Sequence, residues 1–178
     1  IFLRLRGILG KKTGFEGKIP SQFEKEFQKF KVNKKPPSEN FDEEAQKYFL
    51  KGAKIAYETI ITDFSDSDNE LIASKPLLGK KIYEQFKNAL QDRKSKGHYA
   101  EITFIGIKSA TIKNHKKMDN KFEVTVDFVS EIISYIKDKD KKIVSGDMNN
   151  VKTVFDTWIF SKDINSSNPN WLLIDTIT

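Results

Sequence analysis

Lys121-Phe122-Glu123-Val124-Thr125-Val126-Asp127-Phe128 alternates apolar and polar residues without a break. Successive side chains of a strand point to opposite faces, so Phe122, Val124, Val126 and Phe128 share a buried face, and Lys121, Glu123, Thr125 and Asp127 a wet one. Downstream, Val129-Ser130 shifts the phase and predicts a bulge or bend before Ile132 and Ile133. Lys137 to Lys142 and Ser145-Gly146-Asp147 read as a charged connection, Val151 to Phe160 as a third strand and Trp171 to Thr176 as a fourth. Upstream, Glu101 to Ile112 reads as the first strand, with a doubled apolar pattern (Ile102, Phe104, Ile105, Ile107) that leaves its buried face unassigned.

Before Gly97 the period is 3.6. Asn40 is placed to cap a long helix to about Thr62, burying Phe41, Ala45, Tyr48, Phe49, Gly52, Ala56 and Ile60. Ser65-Asp66-Ser67-Asp68 breaks it, and Asp68 is placed to cap a shorter helix carrying Leu71 and Ile72. A further helix covers roughly Leu77 to Lys94, with Leu78, Ile82, Phe86 and Leu90 inward and Gly97 as its stop. Helices followed by an antiparallel meander predict an α+β fold, the helices packed on a four-stranded sheet.

The 178 residues carry 38% hydrophobic, 31% charged and 12% aromatic side chains, enough for one globular domain with an extension. With no Cys and two His, disulfide scaffolds, thiol nucleophiles, Cys-based metal sites and histidine-rich metal sites are excluded. The net charge of +6 is uneven: residues 1–37 hold ten Lys and Arg against three Asp and Glu, and residues 38–178 hold 21 against 22. A basic arm therefore precedes a near-neutral body, and two units are expected, 1–37 and 38–178.

The arm begins with Ile1-Phe2-Leu3 against Arg4, Arg6, Lys11 and Lys12, as the far end of a membrane span meets its basic flank. The absence of an initial Met reads as a processed or truncated product, and no stretch approaches the roughly 20 apolar residues needed to cross a bilayer. Ser21-Gln22-Phe23-Glu24 has capping-box spacing, and Phe23, Phe27 and Phe30 form a helical stripe beside Lys25, Lys29 and Lys31. That stripe either packs on the body or rests on an anionic membrane, rings in the acyl boundary and lysines among headgroups. Pro36-Pro37 ends the arm.

Catalytic and phosphate-binding patterns are missing: the chain has no GxGxxG, Walker loop, GxSxG or HExxH. His98 and His115 read as surface residues. Asp127 and Asp156 are the strand carboxylates to check for acid/base chemistry of the ketosteroid isomerase kind: Asp127 falls on the wet face, whereas Asp156 shares parity with Val154, Trp158 and Phe160, which allows an inward position, with a carboxylate satisfied at the sheet edge as the favoured reading. The lysines of the body cluster at turns, apart from the rings, which argues for solubility and against nucleic-acid binding. Asn165-Ser166-Ser167 fits a glycosylation sequon that a chain of this length produces by chance.

Asp156-Thr157-Trp158-Ile159-Phe160-Ser161-Lys162-Asp163, followed by Asn168-Pro169-Asn170-Trp171-Leu172-Leu173, resembles the closing motif of the Tim44-like domain family. Phe49 with Gly52-Ala53-Lys54, Tyr57 and Ile60 resembles its first long helix, Tyr83, Phe86 and Arg93 the next, and Phe128-Val129-Ser130 with Val144-Ser145-Gly146-Asp147 its second strand and loop. Lys162 stands where the family usually has Arg, and Ser67 where it usually has Gly. The resemblance implies a nuclear-transport-factor-two-like cone with an apolar pocket, which here would be lined by Phe49, Tyr57, Ile60, Phe86, Phe128, Phe155, Trp158 and Trp171. It implies a non-enzymatic scaffold without cofactor or metal, associated with an inner membrane on its cytoplasmic or matrix side. The implied partners are anionic lipids and translocon, chaperone or membrane-protein clients; a carrier of lipid or hydrophobic peptide is the alternative.

Overall fold

The computed structural model describes residues 41–65, 71–168 and 170–177. Among them α1 (Glu43–Ser65), a 3-10 turn (Lys75–Leu77) and α2 (Lys80–Ser95) precede β1 (Tyr99–Met118), β2 (Lys121–Lys137), β3 (Ile143–Asp163) and β4 (Leu172–Ile177). The strands make one antiparallel sheet in the order β1-β2-β3-β4. The α+β meander expected from the periodicity is the fold.

The cap of α1 is Asp42, whose Oδ1 accepts the Ala45 N–H at 2.9 Å, while Asn40 lies outside the described residues. Glu43 and Glu44 sit in the first turn, where carboxylates favour the positive end of the helix dipole. The buried stripe is Phe49, Ala53, Ala56, Tyr57, Ile60, Ile61 and Phe64. Tyr48, expected inside, is 49% exposed, because one residue turns the helix by about 100°. Of the short helix expected around Leu71 and Ile72, residues 71–74 form a bend and turn, and Asp68, its expected cap, lies outside the described residues. Leu71 takes a φ of 57° and buries its side chain, whereas Ile72 is exposed. Buried Asp63 holds this turn by accepting the Ser74 N–H at 2.8 Å and the Ser74 hydroxyl.

Leu77 belongs to the 3-10 turn, so α2 starts three residues later than its apolar pattern suggested. It buries Ile82 and Phe86, and Leu90 packs on the core half-buried. Its end is a Schellman motif: Gly97 N–H bonds to Lys94 O and His98 N–H to Arg93 O, with Gly97 at φ 64°.

The inward face of β2 runs through Phe122, Val124, Val126, Phe128, Ser130, Ile132 and Ser134 without interruption. The phase shift expected at Val129-Ser130 does not occur, because Ser130 is itself fully buried. The bulges lie on the neighbours. Pairing of β1 with β2 skips Ile105, Lys108 and Lys113, and the Ile105 bulge explains the doubled pattern: Ile102, Phe104 and Ile107 pack on the core while Ile105 is 48% exposed. The segment expected as a connection through Asp147 is already β3, which starts at Ile143. Gly146, at φ 81°, is required there, since a Cβ would stand 2.4 Å from Ser134 O. These bulges bend the sheet around the two helices, and the core fills the inner side.

Candidate functional site

The inner face of the sheet is paved with rings that meet the α1 stripe. Tyr57 stacks on Phe128 with centroids 4.4 Å apart and 20° between planes, and meets Trp158 at 4.6 Å. Phe49 reaches Phe160 at 5.8 Å and Trp171 at 4.6 Å, and Phe64 meets Phe86 at 4.6 Å. At the end where α1 begins, Phe41 adds contacts with Trp171, Phe122 and His115. Offset and edge-on ring pairs of this kind add stabilisation beyond the area they bury.

One polar cluster sits inside this aromatic packing. The Tyr57 hydroxyl donates to Asp156 Oδ2 at 2.6 Å and lies 2.9 Å from Ser130 Oγ. A phenol has a single proton, so Ser130 is the donor in the second bond. Burial first, and then the Asp156 carboxylate, push the Tyr57 hydroxyl well above the usual tyrosine range, with Ser130 opposing. Asp156 thus points inward, as its parity allowed. It accepts the single phenolic proton of Tyr57.

A second cluster lies on the outer face, where Tyr135 donates to buried Glu101 and Lys137 Nζ donates to the same carboxylate at 2.9 Å. Burial, followed by the bond to Glu101 and its charge, raises Tyr135 to about 12. Lys162 is buried beneath the β3–β4 loop and donates to Asn168 O. Burial holds its ammonium below the usual lysine value, opposed by Asp163.

Of the residues read as pocket walls, Phe49, Tyr57, Ile60, Phe86, Phe128 and Trp158 are 3% exposed or less and belong to one packed cluster. Trp171 packs on it half-buried. Phe155 stands apart: it occupies the opposite face from Trp158, is 59% exposed, and lines an open outer groove of about 390 Å³ with Val129, Asp127, Thr157 and Ile177. The alternation of β3 around Trp158 was sufficient to place it there. The expected membrane-binding residues Arg4, Arg6, Lys11, Lys12, Phe23, Lys25, Phe27, Lys29, Phe30 and Lys31 lie outside the described residues. Ser130 and Glu101 were missed by sequence reading. Ser130 was legible as a hydroxyl in phase with Val126 and Phe128, but Glu101 acquires its partners only through strand pairing. The described residues contain no cluster suited to a metal.

Among the described residues, two helices against the inner face of a curved, open four-stranded meander form the layout of the nuclear-transport-factor-two-like class of α+β proteins. The model of the Tim44-like domain matches residues 38–178, and the chain belongs to that family. No curated protein matches the chain. Among solved structures it is similar to the intermembrane space region of the chloroplast protein ARC6, with a TM-score of 0.43 and 9% identity over 72% of this chain and 94% of that one.

Proposed function

We propose that the protein is a non-enzymatic scaffold held peripherally at an inner membrane, on its cytoplasmic or matrix side. In this reading residues 1–37 are a membrane-binding arm and residues 38–178 present a folded surface to translocon, chaperone or membrane-protein clients. The observation that carries it is membership of a membrane-associated scaffold family across the whole body of the chain. Two features support it. No described helix is long and apolar enough to cross a membrane, which suits peripheral attachment. The inward Tyr57, Asp156 and Ser130 satisfy one another, which suits a structural role and argues against catalysis. A carrier of lipid or hydrophobic peptide is the weaker reading, because six of its eight proposed walls are consumed in packing against each other.

The test is co-sedimentation of the full chain with phosphatidylcholine vesicles, with and without cardiolipin. Binding is expected only with the anionic lipid, and a variant with Arg4, Arg6, Lys11 and Lys12 all changed to Glu is expected to bind at least about tenfold more weakly. Equal binding by that variant rules out the arm as an attachment.

A further inference from the structure

Two lysine runs that are distant in sequence meet at one end of the molecule. Lys94 and Lys96 close α2, and Lys139, Lys141 and Lys142 form the turn between β2 and β3; all five are exposed. That turn folds onto the end of the helix. A Cβ added at Gly97 would stand 2.2 Å from Lys139 Cε, so the Lys139 side chain lies across the glycine. Pairing of Tyr99 with Lys137 sets the start of β1 beside the end of β2 at the same place.

The carboxylates nearby offset only part of this charge: Asp138 and Asp140 lie in the same turn, two against the four lysines Lys94, Lys139, Lys141 and Lys142. Asp92 is paired with Lys96, and Glu101 with Lys137. Asp138 is turned to the N–H groups of Asp140 and Lys142. Among the described residues Lys94, Lys139, Lys141 and Lys142 form no ion pair. Solubility alone explains such lysines, but it does not explain the apolar residues next to them. Ile143 is 43% exposed, Val144 50% and Met148 47%. They lie on or next to the part of β3 that pairs with the end of β2 but has no β4 beside it, because β4 pairs only with Thr157 to Ser161. Exposed apolar side chains flanked by an excess of lysines match the chemistry of a bilayer boundary, in which apolar groups enter the acyl edge and ammonium groups meet anionic headgroups.

We propose that the β2–β3 tip is a second membrane contact, with Lys139, Lys141, Lys142 and Lys94 on anionic headgroups and Ile143 and Val144 in the headgroup–acyl boundary. The proposal rests on the membrane-associated reading above. The described body begins at Phe41, against Phe122 near the start of β2, whereas the tip follows the end of the same strand at Lys137. A strand of this length spans about 50 Å at roughly 3.3 Å per residue. A tip contact therefore lies a strand's length from the residue at which the described body begins.

The test uses the full chain and phosphatidylcholine vesicles with or without phosphatidylglycerol. One variant carries Lys139→Glu, Lys141→Glu and Lys142→Glu; another carries Ile143→Ser and Val144→Ser; a third is the arm variant described above. Thermal unfolding confirms that each is folded. The lysine variant is expected to lose at least about tenfold in partitioning to anionic vesicles, with a smaller loss for the serine variant. Because the chain has no Cys, Val144→Cys takes a single environment-sensitive dye, whose emission is expected to shift to the blue on anionic vesicles. Unchanged partitioning of both tip variants, or an unshifted dye on bound protein, overturns the tip contact. If the arm variant alone loses binding, the arm stands and the tip falls; if the tip variants alone lose it, the reverse holds. No binding of the unsubstituted chain overturns both, and equal binding to vesicles without anionic lipid overturns the role of the lysines.

Discussion

The Tyr57 hydroxyl, midway along α1, donates to Asp156 Oδ2 on the inner face of β3 at 2.6 Å, across 99 positions of sequence. Apart from that bond and the Ser130 bond to the same hydroxyl, the packing around it is made of rings and aliphatic groups, which slide at little cost. A directed bond to a carboxylate in low dielectric fixes the depth and rotation of α1 on the sheet.

Breaking this bond should therefore cost more than its area implies. Tyr57→Phe is expected to lower stability by about 1.5–3 kcal/mol, the range for hydrogen bonds to charged groups. In a cycle with Asp156→Asn the two changes should couple by about 1 kcal/mol or more. Urea unfolding of the four proteins measures the coupling, and additive losses would show that the bond contributes nothing of its own.

Alkaline pH separates the two buried tyrosines from the buried lysine. Tyr57 and Tyr135 hold their protons above the ordinary value of 10.0, so the folded state binds more protons than the unfolded one once pH passes about 10. Their contribution is complete below that pH and is lost as pH rises, for Tyr135 through about 12. Lys162 acts in the opposite sense. Its folded value lies below 10.5, so the folded state gives up that proton first and gains stability as pH climbs towards 10.5. Urea midpoints between pH 8 and about 11.5 are expected to fall late in the series. Tyr135→Phe should flatten that fall, and Lys162→Met should remove the opposing rise.

Two glycines should respond in opposite directions to alanine. Gly52 lies inside α1 with nothing within 4 Å of an added Cβ, so Gly52→Ala is expected to stabilise by about 0.5–1 kcal/mol. Gly146→Ala meets the Ser134 carbonyl at 2.4 Å with φ at 81° and is expected to cost more than about 2 kcal/mol. Melting temperatures of the two variants decide, and a tolerated Gly146→Ala would mean that the bulge can relax.

Trp158 and Phe155, three residues apart on one strand, should differ sharply. Trp158→Ala empties a position 1% exposed in the core and is expected to cost about 3–5 kcal/mol. Phe155→Ser, at 59% exposure, is expected to change stability by less than about 0.5 kcal/mol. Chemical denaturation of both proteins tests the assignment of faces on β3, and a large loss at Phe155 would mean that something covers the outer groove.

The alternation at Phe122 to Phe128 and the helical stripes are local, because each residue's face follows from its own strand or helix geometry. For that reason the fold class, the order of elements and most of the ring-lined core were readable from sequence. Local reasoning failed wherever pairing between strands set the geometry. Ile105 looked like a second buried residue until the register showed it skipped, and Ser130 looked like a break until its hydroxyl met Tyr57. Phe155 was grouped with the core aromatics by residue type, although its strand parity put it outside.

The amino-acid sequence by itself determined the α+β order, the concentration of positive charge in residues 1–37 and the lack of any thiol, since composition and periodicity do not depend on what a residue touches. Only the tertiary structure decided that Asp156 is bonded to Tyr57, that Glu101 serves Tyr135 and Lys137, and that two separate lysine runs share one tip with Ile143 and Val144. Those facts depend on which residues stand opposite one another across the sheet, and that register emerges from bulges and helix packing summed over the whole chain.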